Sequence, residues 1–205
     1  MNDPSKTADL IRRAQRGDDK ALASIYSRYY PRVQKIVRIR LNRRLRRRND
    51  STDFVQETFV SAIERFDRFE FRHESSLINW LAKIAENAIR GKARRASQRM
   101  MKAMESVSGA SSAPLELEAD VPPPIDIAVR DEEQTRLEDC IGALRPEYRE
   151  VIVVRDFTRP PGSKKKMPWN IVAEEIDACS PDAARMLHAR ARVELAELMK
   201  RSSTD

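Results

Sequence analysis

The sequence predicts an all-α protein of two small helical domains, residues 1–96 and 131–205, joined by a flexible linker over 97–130. Apolar residues recur at three- and four-residue spacing on both sides of that linker, the period of helices with one buried face. Between them, ASQRMMKAMESVSGASSAPLELEADVPPPIDIAV loses the stripe after its first turns, and its Gly, Ser and Pro content gives polyproline character at Pro122, Pro123 and Pro124. The charge breaks in the same region: residues 1–96 hold 23 Lys and Arg against 12 Asp and Glu, whereas 105–139 hold 2 against 10.

Of the 205 residues, 40% are hydrophobic and 35% charged, so each domain has a modest core and a single large enzyme domain is disfavoured. A formal charge of +7 permits nucleic-acid binding without establishing it. No apolar run is long enough to cross a bilayer and MNDPSK lacks a signal-peptide core, which points to a cytoplasmic location. Cys140 and Cys179 lack a CxxC partner, and only His73 and His188 could join them, so free thiols are favoured over a metal and no cofactor is predicted. GSKKK has neither the first glycine nor the spacing of a phosphate-binding loop.

The first helix starts at Thr7, buries Leu10, Ile11 and Ala14, and ends at Gly17. Asp18 caps the next, whose stripe is Leu22, Ile25 and Tyr29; Tyr30 and Pro31 interrupt it before Val33, Val37 and Leu41 resume the spacing. From Lys20 to Asn49 there is no acidic residue, while Arg32, Lys35, Arg38, Arg40, Arg43, Arg44, Arg46, Arg47 and Arg48 accumulate. That one-sign field is either a phosphate-facing surface or a solvated helix end with a basic loop.

Ser51, Thr52 or Asp53 caps a third helix with Val55, Phe59, Ala62 and Phe66 inward. Asp53 and Glu57, one turn apart with Gln56 beside them, form an acidic and amide patch suited to a basic partner helix. FDRFEFRHESS is too polar and irregular to extend this helix, and its Phe69 and Phe71 are not obvious core positions. The following helix turns Leu77, Leu81, Ile84 and Ala88 inward, with Lys83, Arg90, Lys92, Arg94 and Arg95 supplying charge. Trp80 fits either a core or a stacking platform.

In the second domain Leu137, Ile141 and Leu144 form one stripe, Pro146 opens a new helix, and Tyr148, Val151, Ile152 and Arg155 follow. TRPPGSKKKMP then makes a long connection in which Lys164, Lys165 and Lys166 either touch DNA phosphates or are solvated. Trp169, Val172 and Ile176 give one helix face, DACS a turn, and Ser180 with Pro181 a strong helix start: a helix–turn–helix. Ala184, Leu187, Ala191 and Leu195 line the core, which turns Asp182, Arg185, Met186 and Ala189 outward, flanked by Arg190 and Arg192.

DFVQETF, FDRFEF and SLINWLAKIAENAIRGKARR, in that order and spacing, resemble the second conserved region of bacterial sigma-70 family factors of the extracytoplasmic-function (ECF) group. LRPEYREVIVVRDF resembles the opening of the fourth conserved region. The resemblance implies a sigma region 2 helical bundle and a sigma region 4 helix–turn–helix, serving transcription initiation without enzymatic activity of their own. It implies that Asp53, Gln56 and Glu57 dock on core RNA polymerase, built around its beta-prime and beta subunits. Phe69, Arg72, His73, Ser75, Ser76, Asn79, Trp80, Lys83, Asn87, Arg90, Arg94 and Arg95 would melt and hold the minus-10 element of promoter DNA as an unstacked non-template strand, because an exposed strand needs aromatic faces, short polar groups and cations. Asp182, Arg185, Met186, Ala189, Arg190 and Arg192 would meet the minus-35 duplex. An acidic linker carrying Glu116, Glu118 and Asp120 would thread toward the RNA exit path, and an anti-sigma factor is a further partner the family allows. Asp177 departs from the family pattern, standing where glycine is common. The rival readings are a stand-alone helix–turn–helix regulator, which would not need the Asp53 patch, and a nucleic-acid-modifying enzyme, for which no carboxylate cluster with metal-ligand spacing is visible.

Overall fold

The computed structural model describes residues 4–41, 50–106, 132–159 and 166–203. Among these, eight α-helices and no strand occur. Helix α1 (Pro4–Gln15) begins ahead of Thr7, and α2 spans Asp19–Arg40. Gly17 takes φ 85°, a left-handed conformation open to glycine, which lets the Gly17 and Asp18 amides close back on Ala14 and Arg13. The Asp18 carboxylate then accepts from the Lys20 and Ala21 amides, capping α2.

Helix α2 is not broken at Pro31. It runs through as one element because Tyr29, Val33, Ile36 and Val37 are buried on either side, while the proline, which has no N–H to donate, lies on the exposed face. This helix is the centre of the N-terminal half and packs against α1, α3 (Ser51–Ile63) and α4 (Ser76–Ser106). The cap of α3 is Asp50, whose carboxylate accepts from the Thr52 amide, rather than Ser51, Thr52 or Asp53. The α3 stripe of Val55, Phe59 and Ala62 is buried, as are Phe54 and Thr58 beside it. Helix α4 buries Leu77, Ile78, Leu81, Ala82, Ile84 and Ala85 in its first turns and is solvent-exposed from Ala93 to Gln98. It continues to Ser106, beyond residue 96, where the loss of an amphipathic stripe predicts a linker. The rest of that linker, with Glu116, Glu118 and Asp120, lies outside the described residues, as do Arg43, Arg44, Arg46, Arg47, Arg48, Lys164 and Lys165.

The C-terminal half comprises α5 (Glu132–Ala143), α6 (Pro146–Ile152, extended by one π turn over Val153–Phe157), α7 (Trp169–Glu175) and α8 (Pro181–Arg201). Pro146 stands at the start of α6, where its missing N–H costs nothing, and Arg149 donates to the Gly142 and Leu144 carbonyls that end α5. Helix α8 packs on α5, α6 and α7. Between α7 and α8 the chain turns through Asp177 at φ 54°, and the Ala178 amide closes on the Ala173 carbonyl at 2.8 Å, the six-residue bond of a glycine-type helix stop. A β-branched side chain is poorly tolerated at such a φ. Asp177→Val is therefore expected to lower stability by about 1–2 kcal/mol, read from the urea midpoint, with Asp177→Gly at or above the parent.

The halves meet along the C-terminal part of α2. Gly142 of α5 approaches so closely that a Cβ would lie 2.9 Å from the Ile39 carbonyl oxygen. Arg40, with a side chain only 2% exposed, sits 3.1 Å from Glu86 and 2.6 Å from Glu150, and donates to the Ala82 carbonyl. Arg38 pairs with the buried Glu138 at 3.3 Å, and the Lys35 ammonium lies 5.1 Å from the centre of the Phe157 ring. Arg38 and Arg40 thus face the other half of the protein here, rather than solvent.

Candidate nucleic-acid interface

Three surfaces gather the predicted site residues. On α3, burial of Phe54, Val55 and Thr58 leaves Asp53, Gln56 and Glu57 exposed together, with the apolar Val60 and Ile63, 57% and 50% exposed, continuing the same helix.

The second surface surrounds the start of α4. Here the structure separates the predicted residues into those that face outward and those that build the frame. Phe69 is not available as a stacking face: it is buried against Phe66 at 6.0 Å and Trp80 at 4.9 Å between ring centres, so three aromatic groups make one cluster. The turn carrying them is held from α1, where the Gln15 amide donates to the Phe66 and Phe69 carbonyls at 3.0 and 2.8 Å. Nothing in the sequence spacing linked Gln15 to that turn. Ser75 and Ser76 are buried too; the Ser76 hydroxyl accepts from the His73 and Arg72 amides, and the Ser75 amide donates to the His73 ring. Asn79 is buried, and its amide lies beside the Glu175 carboxylate that it helps keep ionised. Trp80 is half-buried; Arg72, Lys83, Asn87, Arg90, Arg94 and Arg95 are exposed, and Arg90 is paired with Glu86 at 2.7 Å.

A carboxylate that the sequence reading did not single out sits on this surface. Glu175, at the end of α7, lies 2.8 Å from the Lys83 ammonium and 3.7 Å from the His73 ring, while neighbouring Glu174 is 4.0 Å from Arg72. Burial opposes its ionisation, but hydrogen bonding with His73 and Lys83 and the nearby Asn79 outweigh that and hold its carboxyl down to about 2. Since the folded value is depressed, these contacts contribute fully above the usual carboxyl range near 4.5 and are lost as pH falls toward 2.

The third surface is the helix–turn–helix. Ser180 caps α8 by accepting from the Ala183 amide, and burial of Ala184 and Ala191 fixes its rotation. Asp182, Arg185, Met186, Ala189, Arg190 and Arg192 are all exposed. Beneath them Trp169 is flanked by the Arg155 and Arg185 guanidinium groups at 4.1 and 5.9 Å, with the His188 ring edge-on at 5.4 Å. His188 is buried and its Nε2 lies 2.9 Å from Asp156, which also meets Lys166 at 2.7 Å. Burial works against ionisation of Asp156, yet its hydrogen bonds with His188 and Lys166 keep the carboxyl below its ordinary range. Lys166 thus ties the end of the long connection to the domain while its side chain stays 53% exposed.

Among the described residues the protein is all-helical, with exposed cations along α4 in one half and a helix–turn–helix in the other. Residues 25–99 match the Sigma-70 region 2 family. Over 78 residues the chain is 38% identical to the ECF RNA polymerase sigma-E factor of Haemophilus influenzae, covering 38% of each chain, and 36% identical to that of Escherichia coli K12, covering 38% of this chain and 37% of the relative. The matched part is thus little more than a third of those relatives' length. Among solved structures, CnrH in complex with the cytosolic domain of CnrY shares the fold at a TM-score of 0.55 and 21% identity, with 93% of this chain and 95% of that chain covered. The chain is thus similar to sigma-70 region 2 over residues 25–99 and to ECF sigma-E factors over 78 residues, and it shares its fold with CnrH along most of its length. No described helix is long and apolar enough to cross a membrane.

Proposed function

We propose that the protein is a sigma factor that binds core RNA polymerase and directs promoter recognition, promoter melting and transcription initiation. The observation that carries this reading is the pairing, in one chain, of a region 2 bundle with an exposed Asp53, Gln56 and Glu57 face and a helix–turn–helix whose Arg185, Arg190 and Arg192 are open to solvent. The acidic face docks on a basic coiled coil of the polymerase. Arg72, His73, Lys83, Asn87, Arg90, Arg94, Arg95 and the half-buried Trp80 take the melted non-template strand of the minus-10 element, around a frame set by Phe69, Ser75, Ser76 and Asn79. Asp182, Arg185, Met186 and Ala189 read the minus-35 duplex, with Arg190 and Arg192 on phosphates. Bond-forming chemistry belongs to the polymerase. The fold's likeness to CnrH bound to the cytosolic domain of CnrY supports an anti-sigma factor as a further partner.

Transcription of a genome-fragment library by core polymerase, with and without the full chain, tests the proposal. Defined start sites should appear only when the chain is present. A stand-alone regulator would bind DNA without core and select no starts, and that result would end this reading. Within the selected promoters, Arg185→Ala is expected to relax choice at one minus-35 position and cost about 1–3 kcal/mol in duplex binding if the guanidinium is bidentate to guanine. A uniform loss across sequences would assign it to phosphate.

A further inference from the structure

The contacts between the halves bear on how the minus-10 surface is controlled, and they rest on the reading of that surface as a strand site. We infer that the C-terminal half is an internal competitor for the single strand: Glu175, at the end of α7, occupies the cationic and imidazole groups on α4 and the preceding loop that a melted strand would need, so the free chain is closed to strand until the halves part.

The chemistry of the competitor matches that of the ligand. A carboxylate and a phosphate are both anionic acceptors, and Glu175 is held 2.8 Å from Lys83 and 3.7 Å from His73 with its side chain only 14% exposed. Glu174 beside it reaches Arg72 at 4.0 Å, so three of the outward-facing candidates are engaged from one short helix. Pairs this exposed on the cationic side would be weak alone, since the Lys83 and Arg72 side chains are 59% and 69% exposed. They act together with a second set of contacts across the same interface. There the shielded Arg40 bridges Glu86 of one half and Glu150 of the other, Arg38 meets the buried Glu138, and Gly142 lets α5 come down on the Ile39 carbonyl. Any side chain at Gly142 would collide with backbone, which does not yield cheaply.

The closure is selective. Asp53, Gln56 and Glu57 on α3 are exposed in the same structure, and so are Arg185, Arg190 and Arg192 on α8. The closed chain therefore leaves its polymerase-docking and duplex-reading faces open while masking its strand site. A ligand for a site available only in a minority open state binds with its affinity divided by that minority fraction, so weakening the closed state raises apparent affinity without a new contact.

The test uses the full chain, small-angle X-ray scattering, and a dye-labelled random-sequence 12-nucleotide single strand read by anisotropy. Glu175→Gln and Gly142→Val should each enlarge the radius of gyration and raise strand affinity about tenfold. Glu197→Gln, elsewhere on α8, controls for the unit change in charge and should do neither. Adding Lys83→Ala to Glu175→Gln should remove the gain in affinity while the expanded shape persists. If wild type already scatters as an extended two-body particle, the closure is wrong; if the two variants expand and strand affinity does not rise above the Glu197→Gln control, the masking is wrong. Variants that stay compact with unchanged affinity also overturn it. Glu175→Gln changes one charge and little volume, so it keeps the test decisive should Gly142→Val fail to fold. Loss of core-dependent start-site selection would instead sink the sigma-factor reading, and is scored separately in the transcription assay.

Discussion

Replacing Asp53 and Glu57 together with lysine is expected to weaken binding to core RNA polymerase a hundredfold or more, about 3 kcal/mol, with the fold intact. Both side chains are exposed on the first turns of α3, and the helix is anchored from its other side by Phe54, Val55, Phe59 and Ala62. The intramolecular cost is small: a cation near a helix N-terminus loses a few tenths of a kcal/mol, and exposed substitutions seldom exceed about 0.5 kcal/mol. Against a basic partner, however, two attractions become two repulsions in a water-poor contact. Titration calorimetry at two salt concentrations checks the cause, because a reversed electrostatic term makes the variant's deficit larger at low salt. Unchanged affinity, with circular dichroism like the parent's, would move the docking face elsewhere on the molecule.

Phe69→Ala is expected to be the most destabilising of the single substitutions considered, by about 3–5 kcal/mol in chemical denaturation. Phe69 is 7% exposed and fills the space between Phe66 and Trp80, under a turn pinned by Gln15. Removing its ring leaves a cavity whose walls are fixed by α1 and α4 and cannot easily collapse. A loss below about 1 kcal/mol would mean that the ring is mobile or outward in solution. A defect in strand opening with this variant would consequently confuse folding with recognition. His73→Ala is the cleaner probe of opening, because the imidazole is only partly buried.

The helical architecture was legible because single-helix periodicity is local. The stripes through Val55, Phe59, Ala62 and Phe66, and through Leu77, Leu81 and Ile84, are buried as the spacing requires. Punctuation was legible where one residue decides it: Gly17, Asp18, Ser180 and Pro181 do what their chemistry predicts. Asp177 shows the same logic from the other side, a non-glycine residue placed in the conformation for which glycine is common. Local signals failed where packing from a distant segment prevailed. Pro31 argued for a break, but buried neighbours on both sides hold α2 together. Phe69 looked like an exposed aromatic because its partner Trp80 and its tether Gln15 are remote in sequence. Arg40 belonged to a run of like charges, and only the fold brings Glu150 to it. The Asp156, His188 and Lys166 cluster and the Glu175 contacts are likewise products of tertiary geometry, with no spacing in the chain to announce them.

The protein has 2 tryptophans, and they fall one to each half: Trp80 against Phe66 and Phe69, Trp169 between Arg155, Arg185 and His188. Each indole is thereby a native optical gauge of its own neighbourhood. With Trp80 exchanged for phenylalanine, the remaining emission comes from the floor under Arg185, where a guanidinium drawn away from the indole alters quantum yield. Engagement of the helix–turn–helix could then be timed in a stopped-flow instrument without attaching a dye, and the complementary exchange at Trp169 would time events at the other end of the molecule.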